Sequence, residues 1–240
     1  MLLCIQVIAT QNKPSNPIFK VAKILFQELK TNRVYQGCAA TLVISAGLFL
    51  SKKRILYIYY LYRLENSTDS NVLYKAISAL RGIVKRGDKK AIDALLEKGL
   101  KGKEESVRYN TIITLGKIAE KGDTDVIKAL IEEGFKDKKV SVRNSAISAL
   151  VQIEEKGDTD VVKALIEEGF KDEEVSVRDS AISAMVQIVE KGDTDVIKAL
   201  IKKGFKDKNA RVRNSAIRVL GRLSKKGDKN VFNLLMEEGF

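Results

Sequence analysis

A unit of 35 residues repeats along the C-terminal two thirds of this chain, and no other feature limits the possible folds as strongly. Residues 123–157 return at 158–192 with six substitutions, and more loosely at 88–122 and 193–227. Near-identical copies at a fixed period indicate a stacked array, in which each unit buries its apolar surface against its neighbours. Two glycine series keep the same step: Gly87, Gly122, Gly157, Gly192 and Gly227, and Gly99, Gly134, Gly169, Gly204 and Gly239.

Each unit is a predicted pair of helices, because apolar residues recur at helical spacing in two blocks that each end near one of these glycines. In one unit the apolar positions are Val161, Ala164, Leu165, Val177, Ala181, Ala184, Met185 and Ile188. We predict that Thr159 caps the first helix, with Asp160 in its first turn, and that Asp172 caps the second. Both glycine series are predicted to be left-handed C-terminal caps.

The segment VSVRNSAISAL at 140–150, preceded by Asp137, resembles the HEAT-like repeat family, of the kind that includes PBS-lyase repeats. The resemblance covers residues 72–240 and implies an all-α fold. This fold is a right-handed α-α superhelix, a HEAT-like solenoid of about six helical hairpins plus a terminal helix. It also implies that the second helices line a concave face, and that acids and arginines form a ladder between repeats: Asp137, Arg143, Asp172, Arg178, Asp207 and Arg213. Alternatively, the arginines form a phosphate-binding row.

The repeat register divides the chain into three parts. Residues 1–17 form an N-terminal segment, residues 18–87 hold degenerate N-terminal HEAT-like repeats, and residues 88–240 hold the regular ones. An uncharged run at 34–51 favours a buried repeat helix, because its strongly apolar part, residues 38–50, spans only about 20 Å as a helix against a bilayer core of about 30 Å. A membrane-associated adaptor acting through residues 34–62 stays as an alternative, although we expect no membrane partner.

Enzyme chemistry is not expected, and the chain is predicted to need no cofactor and no metal. Histidine is absent, which removes the usual general base and the commonest metal ligand. Cys4 and Cys38 lack ligand spacing and lie in apolar surroundings, which indicates a reducing, cytoplasmic location. Carboxylate pairs such as Glu132 and Glu133 recur with the unit, and repetition argues against a unique catalytic site. The abundance of Lys and Glu suggests a thermophilic source.

A protein-interaction scaffold or adaptor is the predicted function, with the partner bound on the concave face of the solenoid by the outward side of the second helices. Candidate contacts form three columns at the 35-residue step. The first holds Tyr74, Tyr109, Asn144, Asp179 and Asn214, the second Ser78, Ile113, Ser148, Ser183 and Arg218, and the third Gly82, Lys117, Gln152, Gln187 and Arg222. The apolar face of the last unit also permits self-association.

Nucleic acid is the alternative partner, because the two ends of the chain are basic. Residues 1–87 and 193–240 carry net charges of +10 and +6, whereas residues 88–192 carry −4. The basic ends contain tyrosines and arginines suited to base stacking and phosphate contact. These residues are Lys52, Lys53, Arg54, Tyr57, Tyr59, Tyr60, Tyr62 and Arg63, and then Arg211, Arg213, Arg218 and Arg222. The tyrosines at 57–62 are alternatively packed within a repeat helix.

Overall fold

The computed structural model describes residues 52–225 and 227–238, and every regular element in them is helical. Contacts between Cα atoms divide the chain into two units, Met1–Val84 and Lys85–Phe240. The predictions for the N-terminal segment 1–17, for the repeat projected at 18–52 and for the uncharged run 34–51 therefore lie outside the described residues.

The first unit contains one described helix pair, α1 (Lys52–Asn66) and α2 (Ser70–Ile83), which pack against each other. Asp69 caps α2, since its carboxylate accepts hydrogen bonds from the backbone N–H groups of Asn71 (2.8 Å) and Val72 (3.2 Å). The buried stripe of α2 runs through Leu73, Ala76, Ile77 and Leu80. This is the spacing of a second helix in the repeat, so the degenerate unit keeps the helix pair.

The second unit repeats the helix pair four times and then adds one further helix. The first helices are α3 (Lys89–Ala94), α5 (Thr124–Ala129), α7 (Thr159–Glu167) and α9 (Thr194–Ala199); the second helices are α4 (Glu105–Ile118), α6 (Val140–Ile153), α8 (Val175–Ile188) and α10 (Ala210–Leu223); the last helix is α11 (Lys229–Glu237). Consecutive second helices pack together along the unit. The predicted all-α, HEAT-like stacking of helix pairs is confirmed.

The apolar stripes predicted for both helices form the core. Val161 and Leu165 of α7, and Val177, Ala181 and Met185 of α8, are completely buried. Burying a side chain of the larger kinds contributes about 1.5–3 kcal/mol, and a single helix pair would leave much of that surface in water. The stack is therefore what makes each pair stable.

The first helices begin at an aspartate, one residue before the predicted cap. The carboxylate of Asp158 accepts hydrogen bonds from the N–H groups of Asp160 (2.9 Å) and Val161 (3.2 Å), and Thr159 is already helical. Asp160 does lie in the first turn. The prediction for Asp172 is wrong, because the cap residue of α8 is Glu174. The Asp172 carboxylate accepts hydrogen bonds from the N–H of Glu174 (2.8 Å) and from the guanidinium of Arg143 in the preceding repeat.

Glycines of the first series are left-handed, as predicted, but they do not cap helices. Their φ angles run from 72° to 91°, and they lie in the turn between one repeat and the next. Helix α6, for example, ends at the extended residue Glu154, three positions before Gly157. The N–H groups of the first four reach the last turn of the following second helix, as from Gly122 to the carbonyl of Ile153 (2.7 Å) and from Gly157 to that of Ile188 (2.8 Å). These turns tie neighbouring repeats together.

Glycines of the second series are not left-handed, so their prediction as left-handed caps is wrong for the four described members. Gly99, Gly134 and Gly204 end the π-helical turns that continue α3, α5 and α9, and Gly169 begins the 3-10 turn after α7. At these positions the second helix of the same pair passes close by. A Cβ atom on Gly134, Gly169 or Gly204 would lie 2.5–2.7 Å from the Cβ of the facing alanine of the second helix. Glycine is needed there for close helix packing and not for its backbone conformation.

Candidate partner-binding surface

Three buried ion pairs join consecutive repeats and form a ladder. The guanidinium Nε atoms of Arg108, Arg143 and Arg178 lie 2.5, 2.7 and 2.6 Å from the Oδ2 atoms of Asp137, Asp172 and Asp207. A second hydrogen bond from each NH2 to Oδ1 (2.9–3.1 Å) makes the pairs bidentate. Each arginine therefore binds the aspartate of the next repeat, 29 positions along the chain.

Most N–H donors of these arginines are already used within the protein. Besides its aspartate, Arg178 donates from NH1 to the backbone carbonyls of Asp172 (2.8 Å) and Glu173 (3.0 Å), and Arg143 donates to that of Asp137 (2.8 Å). The side chains of Arg108, Arg143 and Arg178 are only 6–11% exposed. The geometry thus supports the structural ladder over the alternative of a phosphate-binding row.

In two pairs of the ladder, Arg108 with Asp137 and Arg178 with Asp207, the pKa of the aspartate is lowered and that of the arginine is raised. Burial by itself would raise the pKa of Asp207, but hydrogen bonds from Arg178 and from the N–H of Asn209, together with the charge of Arg178, lower it below its ordinary value. Asp137 follows the same pattern with Arg108. The hydrogen bond to Asp137 in turn raises the pKa of Arg108. Both partners of a pair are thus held charged.

Arg213, which was predicted to belong to the ladder, has hydrogen bonds within its own repeat. Arg213 donates from NH1 to the carbonyls of Asp207 (2.8 Å) and Lys208 (3.1 Å), within its own repeat, as the other arginines do. Toward the N-terminus, Gly102 stands where the later repeats have an aspartate, and Leu73 stands where they have an arginine. The ion pairs between repeats thus involve Arg108, Arg143 and Arg178 with Asp137, Asp172 and Asp207.

The first predicted contact column lies partly between repeats. Tyr109 is 37% exposed, but Asn144 is half-buried and donates to the hydroxyl of Ser176 in the next repeat (3.2 Å). Asp179 is only 8% exposed, and it binds the guanidinium of Arg211 (2.8 Å) and the hydroxyl of Ser215, both in the next repeat. We therefore remove Asp179 from the candidate surface. Asn214, in the last pair, is exposed, and Tyr74, in the first unit, is 42% exposed.

The other two columns face away from the core. Six of their eight residues in the second unit are exposed, and Ile113 and Ser183 are half-buried. We call this set the outward surface: Ile113, Ser148, Ser183, Arg218, Lys117, Gln152, Gln187 and Arg222. Its residues change from repeat to repeat, whereas the ladder keeps its arginines and aspartates. In the first unit Ser78 is half-buried and Gly82 is exposed.

Helix α10 carries a basic stripe on this side, formed by Arg211, Arg218 and Arg222 at helical spacings of seven and four residues. The corresponding residues of α8 are uncharged: Ser176, Ser183 and Gln187. The sequence grouped Arg213 with the other three arginines, but Arg213 turns toward the ladder. Arg211 is 72% exposed while still touching Asp179, and Arg218 and Arg222 are exposed.

Two shallow grooves run between neighbouring first helices, on surfaces that the predicted columns do not include. One, of about 490 Å³, lies between α5 and α7, and its lining includes Lys128, Glu132 and Lys163. The other, of about 340 Å³, lies between α7 and α9. Their lysines and glutamates recur with the unit, as expected for solvated surface side chains. These grooves are the competing location for a partner.

Glu154 is a buried carboxyl group that the sequence did not reveal. It is 3% exposed, and its Oε2 has no hydrogen-bond partner among the described residues. Burial raises the pKa of Glu154 to about 7, which the charge of Lys121 opposes and that of Asp158 reinforces. The corresponding residues in neighbouring repeats are the buried Ala119 and Val189. The 35-residue register could have shown it as an acid at an apolar position.

Metal-binding and membrane-spanning features are absent from the part of the chain that the structure describes. No group of three or more histidine, cysteine or acidic side chains there is arranged to hold a metal ion. Among the same residues, no helix has the length and hydropathy needed to cross a bilayer.

Stacked helix pairs, an arginine–aspartate ladder and close-packed glycines define a HEAT-like helical solenoid. The sequence profile described as HEAT repeats matches residues 59–150 and 96–186, which together are more than half of the 240 residues. The chain belongs to the HEAT-repeat family. No curated protein matches it.

Proposed function

We propose that residues 85–238 serve as a protein-interaction scaffold and that the partner docks on the outward surface. HEAT repeats generally serve as protein-interaction scaffolds, and their fold is typically non-enzymatic. One observation supports this location: the contacts between repeats use the ladder and the apolar stripes, while six of the eight residues of the outward surface are exposed and the surface differs between otherwise similar repeats. Residues that make no contacts between repeats can vary to fit a partner without destabilising the stack.

The chemistry of the outward surface points to a partner with an acidic segment. It is hydroxyl- and amide-bearing along α6 and α8, at Ser148, Gln152 and Gln187, and cationic at Arg218 and Arg222 of α10. Serine and glutamine offer hydrogen bonds without a strong charge preference, whereas two arginines one helical turn apart attract carboxylates. We infer that the partner places its acidic residues against α10.

Exchange of these arginines for the residues of the neighbouring repeat tests the proposal. The double variant Arg218→Ser, Arg222→Gln converts α10 to the composition of α8 at both positions. As bait for affinity capture, this variant should retain about tenfold less of the specific partner than the parent chain, mainly because the acidic contacts are lost. A matched control, Lys163→Gln with Lys198→Gln, removes two exposed charges from the first helices and should capture normally. Equal capture by both double variants contradicts the proposed location.

The basic stripe of α10 also favours a second candidate function, which is binding of the phosphate backbone of nucleic acid. Three arginines on one side of a helix form the positive patch expected of such a site, although residues 88–192 have a net charge of −4. A salt titration with a short random-sequence DNA duplex distinguishes the candidates. Phosphate binding predicts that affinity falls steeply with salt and that Arg218→Ser, Arg222→Gln lowers the slope by about 2. Undetectable duplex binding at low salt removes this candidate.

A further inference from the structure

The helix pair of the first unit contains a groove of about 470 Å³, lined from both helices. Helix α1 contributes Tyr59, Tyr60 and Arg63, and helix α2 contributes Tyr74 and Arg81 among others. Of the α2 residues in this lining, Tyr74, Ser78 and Arg81 follow at spacings of four and three, so these three lie on the same side of α2 and line the groove. We call it the tyrosine groove. Its volume falls within the range of about 300–1,000 Å³ that holds small ligands.

The tyrosine groove has a positive charge that no acid in its described lining offsets. Its cations are Arg63, Lys75 and Arg81, and its described lining contains no aspartate or glutamate. One of the two acids in residues 52–84, Asp69, is occupied as the cap of α2. A concave site lined by one sign of charge concentrates ligands of the opposite sign. The groove therefore selects anions.

The aromatic rings of the groove are partly fixed and partly free. Tyr59 is buried and meets Tyr60 edge to face, with ring centroids 5.0 Å apart. Arg63 lies over the ring of Tyr59, 5.7 Å from its centroid, and donates to its hydroxyl (3.1 Å). These contacts hold one wall rigid. Tyr74 on the opposite wall is 42% exposed, and an exposed ring in a groove offers a stacking surface to a planar group.

One polar atom in the groove lacks a partner. The hydroxyl oxygen of Ser78 is buried, and it has no hydrogen-bond partner among the described residues. Buried hydroxyl groups are nearly always hydrogen-bonded, because leaving one unpaired costs about 1–3 kcal/mol.

We propose that the tyrosine groove binds a nucleotide-type ligand, meaning an aromatic base that carries a phosphate. The base stacks on Tyr74, and the phosphate is bound by Arg81 and Lys75. Neither chemistry alone explains the lining, since a phosphate site does not need the rings and an aromatic site does not need three cations. The source of such a ligand is either a free nucleotide or a single-stranded nucleic acid. This site is separate from the outward surface, so the two proposals fail independently.

Calorimetric titration of the full chain tests the site with four probes: adenosine monophosphate, adenosine, inorganic phosphate and a ten-nucleotide oligoadenylate. Adenosine monophosphate should bind with a dissociation constant below about 1 mM, and adenosine and phosphate should each bind about tenfold more weakly. Binding of the mononucleotide should weaken about tenfold in Tyr74→Leu and in Arg81→Gln. A much tighter complex with the oligonucleotide, weakened by the same variants, identifies a strand as the ligand.

Matched controls come from the next repeat, where Tyr109 corresponds to Tyr74 and is similarly exposed. Tyr109→Leu and Lys117→Gln should leave binding of adenosine monophosphate unchanged. Circular dichroism verifies that each variant is folded, and Lys75→Gln, at an exposed position, gives a third and independent change in the groove. The proposal is overturned if neither the mononucleotide nor the oligonucleotide binds, if phosphate alone binds as tightly, or if the groove variants bind like the controls.

Discussion

Two neighbouring repeats, 158–192 and 193–227, share their internal contacts and differ on the outside. Both have an aspartate cap on the first helix, a close-packed glycine at its end, and an arginine donating to the carbonyl six residues before it. On the outward surface, however, Ser183 and Gln187 of the first repeat correspond to Arg218 and Arg222 of the second. The stack fixes the inner residues by geometry, while the outer ones are free to carry a binding specificity.

Breaking an ion pair of the ladder is expected to cause the largest loss of unfolding free energy among the substitutions compared. Asp207→Ala removes the carboxylate from Arg178, whose side chain is only 6% exposed, and leaves a buried charge without its partner. We expect the free energy of unfolding to fall by about 3 kcal/mol, measured by urea denaturation at pH 7. The exposed Asp195→Ala is the control, with an expected loss of less than about 1 kcal/mol.

The same pair has a defined pH dependence. Because the folded pKa of Asp207 lies below its ordinary value, its stabilisation is complete above that ordinary value and is lost as the pH falls through the folded pKa. The difference in unfolding free energy between Asp207→Ala and the parent chain should therefore become smaller at acidic pH. A difference in unfolding free energy that is small at pH 7, or that increases on acidification, would show that the ladder does not stabilise the contact between these repeats.

The carboxyl group of Glu154 is expected to have the next largest effect on the unfolding free energy, with the opposite dependence on pH. Its pKa is about 7 in the folded chain against an ordinary value of 4.5, so between these pH values the folded state keeps a proton that the unfolded state has released. Stability should consequently fall by about 3 kcal/mol as the pH rises from 4.5 through 7, since one pKa unit corresponds to about 1.4 kcal/mol. Urea denaturation at pH 5 and pH 8 should show this loss in the parent chain.

Glu154→Gln should abolish this slope, because the amide does not titrate. The neighbouring and exposed Glu155→Gln is the matched control and should keep the slope of the parent chain. If Glu154→Gln and the parent lose the same stability between pH 5 and pH 8, the carboxyl group is not buried at the repeat interface.

Substitution of a glycine of the second series tests whether it is needed for close helix packing. In Gly204→Ala the new Cβ would lie 2.6 Å from that of Ala216, so the two helices must move apart. We expect a loss of about 1–3 kcal/mol in unfolding free energy. Gly221→Ala, on the outer side of α10, meets nothing within 4 Å and should instead stabilise by about 0.5–1 kcal/mol. Effects of the same sign would contradict the close-packing explanation.

Helix α10 gives the smallest expected effect on stability. Arg218→Ser with Arg222→Gln should change the unfolding free energy by less than about 0.5 kcal/mol, because both side chains are exposed and contribute no contact between repeats. Thermal denaturation at two salt concentrations measures this change. A loss of unfolding free energy comparable to that of Asp207→Ala would show that these arginines stabilise the fold and do not belong to the outward surface.

Much of the fold follows from the 35-residue period, because residues one period apart occupy like environments. That reasoning finds the helix pairs and the buried stripes of α7 and α8. It does not reveal why a glycine is needed, since Gly157 and Gly169 look alike in sequence while one closes a left-handed turn and the other makes room for Ala181. It also misplaces Asp179, whose burial depends on Arg211 and Ser215 of the following repeat.

Site-specific photo-cross-linking tests the proposed location of the partner most directly. A photoreactive residue is placed at Gln152 or Gln187 on the outward surface, and at Lys128 or Lys163 in the grooves between first helices. All four positions are exposed, so the substitutions leave the stack intact. We expect adducts with one and the same partner from Gln152 and Gln187 and none from Lys128 and Lys163. Adducts from the lysine positions alone would place the partner on the first helices and contradict the account.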